Sequence, residues 1–209
     1  MKTTSRSRTV TDVGLLYYQA LAVVRVLALI RAADAVLVTR AESTSEETTM
    51  LRLTEWAMLH YVAVRAACLL DNPDPGIVCL PKIFDALSDS AARAAILDYP
   101  TSFSSRQERE GHLDKAYQSW ERVSVDPRRE LLRKARSHTL VHNLTDKTMK
   151  DVLDRAVLTF QDLADYAEEC ASIVGELAWA CLGTSEVDAV RSAGPGAAER
   201  IWQRMSSIP

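Results

Sequence analysis

The eighteen residues from Val13 to Ile30 are apolar apart from Gln19 and Arg25. A run of that length and character must be hidden on every side, in a bilayer or in the middle of a helical bundle. Arg25 decides between them, because an arginine near the centre of a span costs roughly 2.5–3.5 kcal/mol on insertion scales. Arg31 and Asp34 follow at once. A central bundle helix with one polar seam holds the same residues without that cost, so no membrane association is expected. The rest of the chain agrees. Seven Gly and seven Pro among 209 residues are too few for a protein built from many β-turns. Ala, Leu, Arg and Glu, all good helix formers, fill the long stretches between them. A 47% hydrophobic fraction supplies a core and excludes a disordered chain. The expectation is an all-α bundle with long first and last helices. One domain over residues 1–185 is followed by a short extension helix in 186–209.

Local signals divide this bundle. The first helix is expected from about Thr11 to Thr39 and the second from Met50 to Leu70, where Asp71-Asn-Pro-Asp-Pro-Gly76 breaks it. Short helices follow over Leu80–Leu87 and Ser90–Asp98, then a longer one over Ser104–Val123. Asp126 is a candidate N-cap with Pro127 at the first helical position, opening a helix to about Asn143. A capping signal at Thr145 opens the last long helix, which carries the stripe Val152, Leu153, Ala156, Val157, Phe160, Leu163 and Ala164 and ends at Gly183.

The four cysteines, Cys68, Cys79, Cys170 and Cys181, form no CxxC pair. Cys170 and Cys181 on one helix would be about 16 Å apart, beyond disulfide reach. Free thiols and the lack of a leader-like start predict a cytoplasmic protein.

Charge supplies the first functional clue. The net charge is −3, which argues against a chain that coats nucleic acid with its whole surface. Yet residues 128–150 contain seven cations (Arg128, Arg129, Arg133, Lys134, Arg136, Lys147 and Lys150) against Glu130 and Asp146. That segment is +5, and the rest of the chain is therefore −8. A basic strip on an acidic protein is a candidate phosphate-binding surface, with Arg129, Arg133, Lys134 and Lys147 as its RNA contacts.

Inside the strip lies Arg136-Ser-His-Thr-Leu-Val-His142-Asn143. His138 and His142 share a helix face at i,i+4. Arg136 and His142 are about 120° apart around an ideal helix, so one helix alone holds them poorly for a single phosphate. A helix ending near His142, or a second copy presenting its own motif, relieves this.

Arg136, five residues and His142 match the Arg-x(4–6)-His motif of the HEPN (higher eukaryotes and prokaryotes nucleotide-binding) superfamily, which the chain resembles. Leu132-Arg-Lys-Ala-Arg136 with Leu140-Val-His-Asn-Leu144 is similar to the AbiU-type abortive-infection branch. So are His60-Tyr-Val-Ala-Val-Arg-Ala-Ala-Cys-Leu-Leu-Asp71 and Leu80-Pro-Lys-Ile-Phe-Asp-Ala-Leu87, and the likeness spans Val13 to Leu182. Ser137 stands where many nuclease members carry Asn or Asp. The resemblance implies a metal-independent endoribonuclease, commonly a toxin or antiphage effector. It also implies a homodimer in which the motifs of two copies meet at one cleft near the two-fold axis. An antitoxin or a nucleotidyltransferase is the partner protein such members often have.

The residue chemistry agrees without the resemblance. RNA carries its own nucleophile, the 2′-OH. Histidine titrates near neutrality and can move its proton, and arginine stays charged and grips phosphate oxygens through a planar fork. His142 is the expected proton carrier and Arg136 the expected stabiliser of the phosphorane. Ser137, His138 and Asn143 are the auxiliary candidates that orient the phosphate. His138, His142 and Asp146, at i, i+4 and i+8, are a weaker alternative as a zinc site. No acid stands between the histidines, and the flanking cations repel a metal, so no cofactor is expected. A non-catalytic HEPN-like module that binds nucleotide, RNA or protein is the other alternative. His60 is expected at a core boundary, His112 at the surface, Arg25 and Arg31 in acid-paired seams, and Trp56, Trp120, Trp179 and Trp202 as packing anchors.

Overall fold

The computed structural model describes residues 3–39, 46–98, 104–135 and 159–192, together with 196 and 200, and every regular element among them is helical. In chain order these are α1 (Thr3–Thr39), α2 (Glu46–Leu69), α3 (Leu80–Ser88), α4 (Ser90–Leu97), α5 (Arg106–Ser124), α6 (Pro127–Ala135) and α7 (Phe160–Leu182). The protein is all-α, as its composition requires.

Helix α7 is the centre of the bundle, packed against α5 on one side and α1 on another, with α1 in turn against α2. The apolar run in α1 explains this layout. Val13, Leu16, Ala20, Val23, Val24, Leu27 and Ile30 are buried along one stripe of the helix, and Leu21, Ala28 and Ala32 are buried beside it. The stretch Arg8–Ala35 is long and apolar enough to cross a membrane by length and composition, and half of its most apolar window is buried within the fold. In α7, Ala164, Tyr166, Ala167, Cys170, Ala171, Ile173, Val174, Leu177 and Cys181 meet them, and Leu113, Ala116 and Val123 close the core from α5. Small residues allow the close approach. A Cβ on Gly175 would lie 3.2 Å from Ser185 Oγ and Val187 Cβ, so the segment after α7 lies directly on that helix.

The helix boundaries follow side-chain capping. Ser105 and Glu108 form a reciprocal capping box at the start of α5, and Asp89 accepts from Ala91 N–H at 2.9 Å to begin α4. Asp126 accepts from Arg128 N–H at 2.8 Å ahead of Pro127, the arrangement its sequence predicts. Gly183 ends α7 in the left-handed region at φ 76°, where a side chain would be strained.

Several helix starts differ from the sequence reading. Helix α1 begins at Thr3 and α2 at Glu46, earlier than the expected Thr11 and Met50, and the largest difference is at the last helix. The last helix begins at Phe160, not at Thr145. Thr159 is extended (φ −71°, ψ 161°) and forms a capping box with Asp162: its hydroxyl accepts from Asp162 N–H at 3.1 Å, and Thr159 N–H donates back to the carboxylate at 3.0 Å. Thr145, Val152, Leu153, Ala156 and Val157 lie outside the described residues, and Leu163 and Ala164 belong to α7.

Beyond Gly183 the chain stays on the bundle. Residues 187–192 are helical, Val187 is in the core, and Glu186 N–H donates to the Tyr17 hydroxyl at 2.6 Å. Arg191 reaches Ser172 Oγ and the Glu168 carbonyl on α7.

Candidate functional site

Of the predicted site residues, Arg136, Ser137, His138, His142, Asn143 and Lys147 lie outside the described residues, as does the alternative zinc ligand Asp146. Lys134 is on α6, with its side chain outside the described set. Arg129 and Arg133 are described, and with Arg128 they show how the basic strip is built up to the residue before Arg136.

Helix α6 is fixed to the bundle by Leu132, which is fully buried, and by two arginines at its start. Arg128 grips both carboxylate oxygens of Asp126 (2.6 to 3.1 Å), reaches Glu169 on α7 at 3.2 Å, and lies 4.9 Å over the Tyr166 ring. The bidentate contact holds the Asp126 carboxyl below its usual range. Tyr166 is buried and donates its hydroxyl to the Val123 carbonyl at 3.0 Å, and burial raises its pKa. Arg129 donates to two carbonyls, Ser124 O at 3.2 Å and Leu70 O at 3.3 Å, and lies 5.9 Å over the Trp120 ring. It therefore ties α6 to the end of α2. Arg133 is exposed and forms two hydrogen bonds with Glu130 one turn back, at 2.9 and 3.0 Å.

The +5 charge counted along the chain is thus not all presented to solvent. Asp126 and Glu169, neither within residues 128–150, neutralise Arg128, and Arg129 is engaged by the fold. Among the described cations of the strip, Arg133 is the one on the open face, held by a surface ion pair that an incoming phosphate can exchange.

Several side chains are placed differently from their sequence reading. His112 is not a surface residue. Its Nδ1 is 2.6 Å from Glu176 Oε2 on α7, its ring stacks on Trp179 with centroids 5.2 Å apart, and it is three-quarters buried. This α5–α7 contact spans 64 positions in sequence, and no local pattern around Gly111 and Leu113 announces it. Trp56 is not a packing anchor; it is 55% exposed. Trp120 does anchor, stacked face to face on Phe84 at 5.0 Å, and Trp202 lies outside the described residues. Arg31 pairs with Glu168 at 2.5 Å, the seam its position predicts, and Arg25 is exposed. His60 is half-buried and donates to the Trp56 carbonyl at 3.1 Å.

Two further features bear on chemistry. Arg109 is buried and donates to the last carbonyls of α4, Ile96 O (3.2 Å) and Leu97 O, so its charge faces a helix C-terminus. The thiols are free, with Cys79, Cys170 and Cys181 buried and Cys68 partly exposed. Burial pushes the Cys181 thiol up to about 12 and raises Cys170 further, which makes both poor nucleophiles. No group of three metal-ligating side chains occurs among the described residues. No protein-family model, curated protein or solved structure matches the chain.

Proposed function

We propose that the chain is a metal-independent endoribonuclease of the HEPN type, a cytoplasmic toxin or antiphage effector similar to the AbiU branch. The observation that carries this reading is the motif Arg136-x5-His142, which follows directly on a basic helix in an all-α chain. Helix α6 is clamped through Arg128, Arg129 and Leu132, giving the residues that follow a rigid origin, as a phosphate site requires.

In the proposed reaction His142 takes the proton of the 2′-OH. The 2′-oxygen attacks phosphorus, and the bond to the 5′-oxygen breaks. The departing oxygen receives a proton, leaving a 2′,3′-cyclic phosphate and a 5′-hydroxyl. Arg136 neutralises the phosphorane, Ser137, His138 and Asn143 orient the phosphate, and Arg129, Arg133, Lys134 and Lys147 form the basic approach. Because Arg129 is bonded to two backbone carbonyls, its part is to place the strip, while Arg133 is the contact an RNA can recruit.

The test is incubation of wild-type and His142→Ala protein with total RNA and tRNA in EDTA, with mapping of new 5′ ends. Wild-type protein is expected to leave 5′-hydroxyl ends, and His142→Ala to lose about 10²–10⁴-fold in rate. Cleavage unchanged in His142→Ala refutes the assignment. Ser137, in place of Asn or Asp, favours one second reading, a non-catalytic HEPN-like module that binds nucleotide, RNA, an antitoxin or a nucleotidyltransferase. Under that reading wild-type and His142→Ala proteins express equally and leave host growth equal.

A further inference from the structure

We draw no further inference here: the strongest candidate, the exposed apolar stripe of Met50, Leu53 and Trp56 on α2, carries nothing because nothing in the structure shows what covers it.

Discussion

Arg128, Arg129 and Arg133 carry one charge each within two turns of one helix, yet they perform different work. Arg128 is fixed by Asp126 and Glu169, and Arg129 by two backbone carbonyls and the Trp120 face. Arg133 is exposed and pairs with Glu130 one turn back. Removing Arg129 strands the carbonyls of Ser124 and Leu70 and detaches α6 from α2. Arg129→Ala is expected to cost about 1–3 kcal/mol, read as a lowered melting temperature. Arg133→Ala is expected to change stability by no more than about 0.5 kcal/mol, since exposed pairs contribute little. RNA binding is expected to rank them in reverse. Loss of Arg133 removes one phosphate contact and flattens the slope of log affinity against log salt by about 0.7 for a single strand. Equal slopes for wild type and Arg133→Ala would remove Arg133 from the RNA path. Charge along the sequence does not distinguish these arginines, because the partners that separate them, Glu169, Leu70 and Trp120, are distant in the chain.

At the scale of the elements, the legible boundaries were those with a covalent or short-range cause. Pro127 behind Asp126, Gly183 after α7 and the Asp71–Gly76 breaker all end or begin helices where the residues say they should. The start of α7 was missed for a physical reason. Apolar periodicity runs from Val152 through Ala164 without a break, and threonine is tolerated inside helices, so periodicity alone carries a helix through Thr159. The signal that overrides it was present as Thr159-Phe-Gln-Asp162, a capping box whose bonds compete with the helical conformation at Thr159. His112 and Trp56 were misplaced for the complementary reason: burial of a side chain depends on what another helix brings to it. The cap makes a prediction of its own. Thr159→Ala is expected to destabilise the protein by about 0.5–2 kcal/mol, with fraying confined to the first turn of α7 in amide hydrogen exchange. The Asp162 carboxyl is held below its usual range by the Thr159 hydroxyl and then by its N–H. A depressed folded-state pKa means that the stabilisation is complete above the ordinary aspartate range. It is lost as pH falls through the lowered value. The difference between wild type and Thr159→Ala is therefore expected to shrink on acidification, and a difference constant with pH would show that the carboxylate does not contribute.

At the scale of the whole molecule, the proposed ribonuclease pairing brings two basic strips to one cleft, joining segments that carry +5 each along the chain, partly offset by Asp126 and Glu169. Such a contact repels itself until a polyanion lies between the copies, so pairing through the strips is expected only with RNA. Raising salt screens exposed charges over about 8–10 Å, and the RNA-bound assembly is expected to weaken steeply, in the manner of counterion release. Analytical ultracentrifugation at low and high salt, with and without a short single-stranded RNA, reads both states. A dimer that forms equally well without RNA would show that the strips do not carry the contact.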